Sequence, residues 1–296
     1  MQVKDIEIDQ SLKELTQHRT AVLPIACYET TINQNIHGYI PLHWHDELQF
    51  IFIVKGEAIF QINEESVAVR EGDGLFINSG SLHMAEEGNQ SGCVYICVNV
   101  SPHSVLSQEL YTTYVSPYIQ ATNLSCLYID SNKSWGKLIL HAIVKINQLI
   151  QQKLPYYEMD ITVQLTLIWK NIILNGFPLE YDQTVMLKNQ RMKQMINWIH
   201  LHYTENIKLD DIAKAGQLSR SECCRYFKRN LKTTPMRYVI DYRIQKSLSL
   251  LQQESNVTEV AFQVGFNSTS YFIDKFKNSM RMTPFAYKQY KIGDGY

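Results

Sequence analysis

The chain writes nearly the same twenty-residue phrase twice. Residues 216–235 read GQLSRSECCRYFKRNLKTTP and residues 265–284 read GFNSTSYFIDKFKNSMRMTP. The two agree at Gly216 and Gly265, Ser219 and Ser268, Ser221 and Ser270, Phe227 and Phe276, Lys228 and Lys277, Thr234 and Thr283, and Pro235 and Pro284. In the first copy LDDIAKAG leads into the phrase, and Ser219 with Glu222 has the S-x-x-E form that starts a helix by satisfying its free backbone N–H groups. The pattern predicts helix, tight turn, helix. Ala213, beside Ile212, is small enough for a second helix to cross closely. Cys223 and Phe227, four apart, share the buried face of that helix and leave Ser221, Glu222, Cys224, Arg225 and Lys228 outward. The second copy repeats the plan with VTEVAFQVG as its first helix, Ser268 as the cap and Phe272 with Phe276 as the buried pair. Its outward positions are Thr269, Ser270, Ile273 and Asp274.

Between the copies, Thr234-Pro235 offers a cap followed by proline at the first helical position, and MRYVIDYRIQKSLSLLQQ places Val239, Tyr242, Leu248 and Leu251 at helical spacing. About 17 residues at about 1.5 Å each make a rod of roughly 25 Å. A rod of that length can hold two helices about 34 Å apart, one turn of DNA, so that both enter the major groove from one face. Charge points to the same partner. Residues 1–187 carry 10 Lys/Arg against 20 Asp/Glu, and residues 188–291 carry 18 against 8. A back half with net charge +10 is suited to a polyanion.

At 296 residues the chain exceeds one average domain, and 45% hydrophobic with 19% charged residues excludes a disordered chain. The start, MQVKDIEIDQ, lacks a basic region followed by an apolar run, and no window approaches the roughly 18 apolar residues that span a bilayer. The expectation is a cytoplasmic protein with no membrane partner. Its six cysteines have no C-x-x-C spacing and are expected as reduced thiols.

From about Arg191 to Tyr290 the chain resembles the DNA-binding domain of AraC-type (AraC/XylS) transcriptional regulators. The elements that carry the resemblance are IAKAG, S-x-x-x-x-x-R-Y-FK, YRIQKSLSLL, VTEVAFQVGF, SYF-x-x-x-FK and TPFAY, in the family's order and spacing. The resemblance implies an all-α domain with two helix-turn-helix motifs that binds promoter DNA and activates nearby genes, with RNA polymerase as a further partner. Ser221, Glu222, Cys224 and Arg225 would then read bases from the first helix, and Thr269, Ser270, Ile273 and Asp274 from the second. Lys228, Arg229, Lys277 and helix N-termini would hold phosphates. The first helix is expected to supply most of the readout, because Arg225 can donate a bidentate pair to guanine whereas Asp274 can only accept. The chain departs from the family at Lys232 and Arg281, where glycine is usual, at Asp274, where a basic residue is usual, and at Ser247, usually alanine. Lys232 and Arg281 either alter their turns or add phosphate contacts.

In the front half, short β-rich runs over residues 38–87 are punctuated by Gly56, Asn63, Gly72 and Gly80, an antiparallel meander. The pattern H-x-H-x-x-x-Q followed by GDGLFINSGSLH resembles the cupin fold over residues 20–100, a double-stranded β-helix barrel often fused to AraC-type domains as a sensor. His43 and His45 point to one face, and His83 can reach them from a neighbouring strand. With Gln49 they are expected to form a small-molecule effector pocket, a saccharide being the favoured class, with no cofactor and no catalytic residue. The alternative is a metal-dependent cupin enzyme using His43, His45 and His83. Against it, the metal-binding motif has a carboxylate where Gln49 stands and an asparagine where Glu87 stands. A regulator that needs no ligand is the third reading. Trp44 alternates to the opposite face and is expected in the core, and Cys93 and Cys97 of GCVYICVNV are expected as buried small hydrophobes.

After residue 100 the pattern turns helical. Leu138, Ile139, Ala142, Ile143, Ile146, Leu149 and Ile150 form a stripe over 135–152, and a second apolar helix covers 159–174. Related regulators dimerise through such helices, so a homodimer is expected; the stripe could instead pack on its own barrel. The predicted organisation is a sensor barrel with a helical dimerisation segment over 1–175 (helices from about 101), a linker over 176–189, and the double helix-turn-helix domain over 190–291.

Overall fold

A computed structural model describes residues 6, 8–9, 11–20, 22–35, 38–89, 92–175, 178–252 and 256–293. The chain divides into two compact units, Met1–Leu187 and Lys188–Tyr296.

The first unit contains strands β1 (Ile25–Thr31), β2 (Ile40–His43), β3 (Leu48–Lys55), β4 (Glu57–Ile62), β5 (Glu65–Arg70), β6 (Gly74–Ile77), β7 (His83–Glu87), β8 (Val94–Val100) and β9 (Cys126–Ile129). They form two antiparallel sheets with strand orders β1-β8-β3-β6-β9 and β2-β7-β4-β5. The four residues expected to punctuate the meander all take positive φ where the chain reverses: Gly56 at 80°, Asn63 at 48°, Gly72 at 87° and Gly80 at 70°. Among the described residues no ladder joins the sheets into a closed barrel. They enclose a shared core instead, in which Ile51, Leu75 and Tyr95 of the larger sheet meet Ile40, Phe60 and Ala85 of the smaller.

Alternation along β3 sets the second core. Ile51 points between the sheets, so Phe50 points out of them, where it joins Phe76, Val98 and Val100 under the helices. Those helices are α1 (Gln108–Tyr114), α2 (Ser116–Gln120), α3 (Ser134–Gln152) and α4 (Tyr157–Leu174). Ile139, Leu140, Ala142, Ile143, Ile146 and Leu149 of α3 are buried against this outer face. The α3 stripe therefore packs on its own sheet. Trp169 of α4 is fully buried edge-on to Phe76, at 6.0 Å between ring centroids, and its indole N–H donates to the Tyr114 carbonyl at 2.7 Å.

Three sequence expectations need correction here. Leu138 is exposed, and Leu140 takes its place in the stripe. The chain after residue 100 is not all helix: Cys126–Ile129 returns as β9 and pairs with β6. Trp44 is only partly buried; its indole donates to the Ser11 carbonyl at 2.9 Å and so docks the N-terminal segment rather than filling the core.

The second unit is helical. From Lys188 it holds most of α5 (Gln183–His202), then α6 (Leu209–Ala215), α7 (Arg220–Leu231), α8 (Pro235–Gln252), α9 (Val257–Gln263), α10 (Thr269–Met280) and α11 (Pro284–Gly293). The segment expected as linker, 176–189, is helical from Gln183, which lies seven residues ahead of the domain start expected at 190. The reason is local: the Asp182 carboxylate accepts from the Thr184 backbone N–H at 2.7 Å, and no Pro or Gly follows Pro178 before Gly216.

The two repeat glycines serve different needs. Gly216 has φ −88°, and a Cβ there would sit 2.7 Å from Met195 Cγ of α5. Gly265 has φ 89°, and a Cβ would meet the Tyr203 carbonyl at 2.5 Å. In the first copy the left-handed residue is Gln217, φ 54°, two positions before the cap Ser219. In the second it is Gly265, three positions before Ser268, so the second turn is one residue longer. Among the described residues no helix is long and apolar enough to cross a membrane.

Candidate functional site

Each repeated phrase builds one capped helix on a buried pair. In α7 the Ser219 hydroxyl accepts from the Glu222 backbone N–H at 3.3 Å, while the Glu222 carboxylate accepts from Ser219 N and Oγ at 3.2 and 2.8 Å. Cys223 and Phe227 below it are fully buried. Ser221, Arg225, Lys228 and Arg229 are exposed and Cys224 is half-buried, all outside the buried face as the sequence predicts. Glu222 has a second duty. The Ser219 hydrogen bonds hold its carboxyl below the ordinary value, and the Arg225 guanidinium lies 3.9 Å away. Arg220 grips Asp210 of α6 through two hydrogen bonds and ties the two helices of the motif together.

In α10 the Ser268 hydroxyl accepts from the Tyr271 backbone N–H at 3.4 Å, and Phe272 and Phe276 are fully buried. Ser270, Ile273, Asp274 and Lys277 are exposed and Thr269 is half-buried. Asp274 accepts from Lys275 Nζ at 3.0 Å and Asn278 Nδ2 at 3.3 Å, so its acceptor capacity is partly taken. Tyr271, not singled out by the sequence, is also exposed and stacks under Lys275 Nζ at 4.9 Å. The joining helix α8 has 18 residues, about 27 Å at 1.5 Å each. Ser247 is fully buried there and satisfies its hydroxyl on the Ile244 carbonyl at 2.6 Å, which explains how serine replaces the usual alanine.

The first unit holds a histidine chamber. His43 ends β2 directly opposite His83 at the start of β7, and His45 follows two residues later. All three are almost fully buried. Ring centroids are 4.2 Å apart for His43 and His83, 5.0 Å for His45 and His83, and 5.7 Å for His43 and His45. Each Nδ1 faces a backbone carbonyl: Pro41 at 2.8 Å for His43, Glu47 at 3.1 Å for His45 and Ser81 at 2.8 Å for His83. A carbonyl can only accept, so Nδ1 carries the proton and Nε2 holds the lone pair in the neutral ring. Burial pushes the His43 imidazole below its ordinary value and takes His45 to about 3, so both are neutral at neutral pH. One nitrogen of each ring lies within 4.8 Å of one in each of the others.

Gln49 lies beside the rings, but its amide donates to Cys97 Sγ at 3.1 Å. The carboxylate comes from elsewhere. Leu12 to Glu14 run along the strand end at Trp44: Trp44 N donates to the Leu12 carbonyl and Glu14 N to the Trp44 carbonyl, both at 2.9 Å. This pairing carries the Glu14 side chain into the chamber, where Oε2 lies 3.1 Å from His18 Nε2 and 3.8 Å from His43 Nε2. Burial pushes this carboxyl up, but the His18 hydrogen bond and the neighbouring imidazoles outweigh it and hold it at about 2. Glu14 lies outside the H-x-H motif, and no local pattern marks it in the sequence. Burial pushes the Cys27, Cys93, Cys126 and Cys223 thiols up to about 12, and Cys93 and Cys97 are buried small side chains as expected. The cavity that His43 and His83 line together with Glu14, His18, Gln49 and Asn99 encloses about 40 Å³, and His45 stands outside its lining. By the roughly 10–15 Å³ that one water occupies, that is room for about three or four waters, far below the ~300–1,000 Å³ of pockets for drug-sized ligands.

Residues 26–118 match the model of the AraC-like ligand binding domain, and residues 212–290 match that of a helix-turn-helix domain spanning both copies of the repeat. Over 288 residues, 97% of this chain and 99% of the relative, the sequence is 70% identical to the uncharacterized HTH-type transcriptional regulator YdeC of Bacillus subtilis (strain 168). The chain belongs to the AraC family of helix-turn-helix transcriptional regulators. It shares 20% identity over 263 residues, 86% of this chain and 89% of the relative, with the HTH-type transcriptional activator RhaS of Escherichia coli (strain SE11). Among solved structures, ToxT from Vibrio cholerae O395 matches over 89% of this chain and 96% of its own, at 14% identity and a TM-score of 0.40. As an AraC-family member the chain is a DNA-binding transcriptional regulator with a ligand-binding domain. The ligand-binding match takes in His43, His45, Gln49 and His83 but begins after Glu14.

Proposed function

We propose that this AraC-family chain is a cytoplasmic regulator whose α7 and α10 read two successive major-groove segments of promoter DNA, and whose chamber takes a small effector that shifts DNA binding. The observation that carries the DNA reading is the pair of capped helices, each held by a buried pair with its polar face outward. Arg225 is the leading base reader, supported by Ser221 and Cys224, while Lys228, Arg229 and Lys277 hold phosphates. Glu222 serves first as the cap of α7. In α10, Ser270 and Ile273 are better placed than Asp274, whose oxygens already have donors. The protein is not an enzyme in this reading, and it activates nearby genes in contact with RNA polymerase.

For the effector, a polar molecule is favoured by the histidines, Gln49 and Asn99 at the cavity. A saccharide has the hydroxyls to match them, and it enters only if the chamber opens beyond its 40 Å³. Effector binding acts by favouring one arrangement of the protein over another, and a ligand with equal affinity for both would shift nothing. A homodimer is supported by an exposed apolar stripe on α4, Met159, Val163, Leu167 and Leu174, that the sheet does not use.

The test is selection of duplexes from a random library by the full-length protein, followed by anisotropy titration of the winners. Enrichment of a site with two elements about ten base pairs apart is expected. A pool that stays random after selection overturns the reading.

A further inference from the structure

We propose that His43, His45 and His83 bind one divalent first-row transition-metal ion through their Nε2 atoms, with Glu14 of the N-terminal segment as the anionic fourth ligand. As the ligand of the ligand-binding domain, the ion deepens the effector reading above and rests on it.

The first argument is the tautomer. Metal-bound imidazoles donate their other ring N–H to a carbonyl or carboxylate, which fixes the ring and leaves the metal-facing nitrogen basic. All three rings have that arrangement with Pro41, Glu47 and Ser81. The second is convergence. Ligand atoms about 2.0–2.1 Å from a tetrahedral ion stand roughly 3.3 Å apart. The three rings offer one nitrogen each within 4.8 Å of one another, near that spacing before any ion draws them in. The third is that His45 Nε2 is buried with no hydrogen-bond partner among the described residues. A buried acceptor of this kind is costly unless a hydrogen-bond donor or a metal ion meets its lone pair.

Charge and size select the occupant. Three neutral imidazoles alone leave a dication uncompensated, and Glu14, 3.8 Å from His43 Nε2, supplies the anion. It occupies the role that Gln49 cannot take, because the Gln49 amide is turned to Cys97. Imidazole with carboxylate suits Zn²⁺, Ni²⁺, Co²⁺ or Fe²⁺ rather than a soft ion such as Cu⁺. The one thiol at the cavity, Cys97, is engaged by Gln49 at 3.1 Å and Asn99 at 3.2 Å. The cavity of about 40 Å³ beside His43, His83 and Glu14 admits a single ion as it stands.

The experiment uses the full-length protein, free of any affinity tag, stripped with a chelator and titrated with Co²⁺, then with Zn²⁺ in competition. The expected result is a visible Co²⁺ absorption of four-coordinate intensity that saturates at one equivalent and is displaced by Zn²⁺. This wild-type spectrum needs no variant. Glu14→Gln removes an anionic ligand and should weaken binding by at least the roughly 10–100-fold that loss of an outer-shell partner costs, and Glu14→Asp by less. His45→Ala with His83→Ala should abolish the band, while a cooperative thermal transition by circular dichroism reports that the variant is folded. No band from the wild type, an unchanged band in the double His variant, or unchanged affinity in Glu14→Gln overturns the site. Operator affinity is measured with and without one equivalent of Zn²⁺ in the same samples. One ion bound with no change in operator affinity overturns the ion as effector. A saccharide-induced thermal shift without metal binding overturns the metal site and leaves the effector reading standing.

Discussion

Lys232 and Arg281 occupy the same place after α7 and α10, and both adopt the left-handed conformation, with φ 53° and 59°. The turns are therefore kept, although a glycine is replaced in each. For an L-residue this conformation costs about 1–2 kcal/mol, against the roughly 0.5–1 kcal/mol that a glycine loses in chain entropy. Lys232 recovers part of the cost by donating its ammonium to the Arg229 carbonyl at 2.9 Å. Lys232→Gly and Arg281→Gly should each stabilise the helical unit by up to about 1 kcal/mol, read as a raised urea midpoint. Midpoints that fall instead would mean that the side chains contribute more than the strain. If Lys232→Gly also weakens all DNA equally, the ammonium touches a phosphate.

Arg225→Ala should cost about 1–3 kcal/mol of operator affinity and relax the preference at one base pair. The guanidinium is exposed and its 3.9 Å pair with Glu222 is weak, so it is free to turn to a base edge. Selection with the variant checks this: an unchanged consensus removes Arg225 from readout.

Lys228→Ala should weaken every sequence alike and reduce the slope of log K against log salt by about 0.9. Lys228 is exposed next to the buried Phe227 and belongs to the same turn as Arg229. Anisotropy at four salt concentrations reads the slope, and an unaltered slope shows that Lys228 does not meet a phosphate.

Leu167→Glu on α4 should leave the fold intact and convert a dimer to monomer, because Leu167 is exposed and outside the buried set of its helix. Sedimentation velocity decides the matter. An unchanged sedimentation coefficient places the dimer contact elsewhere, or shows that the wild type is itself a monomer.

What the sequence made legible followed a period. Cys223 with Phe227 and Phe272 with Phe276 stand out because a four-residue spacing puts them on one helix face, and all four are fully buried. The strand turns at Gly56, Asn63, Gly72 and Gly80 stand out because only certain residues accept positive φ easily. Glu14 has neither signal. It reaches the chamber through backbone pairing with Trp44, a contact across thirty positions that no local pattern encodes. Cys126–Ile129 is four residues long, too short for alternation to show, and its strand identity comes from the edge of β6 that it completes. Leu138 is as apolar as its neighbours, yet the helix phase leaves it exposed and turns Leu140 inward.

The unequal turns have a last consequence. With Gln217 two residues before its cap and Gly265 three before its own, the motifs are not interchangeable halves, and their reading faces carry different residues. A symmetric pair of readers is blind to which way its palindrome points. In the proposed reading, two dissimilar readers on one chain see a DNA site with a head and a tail, so a single bound molecule can mark one direction along the chromosome.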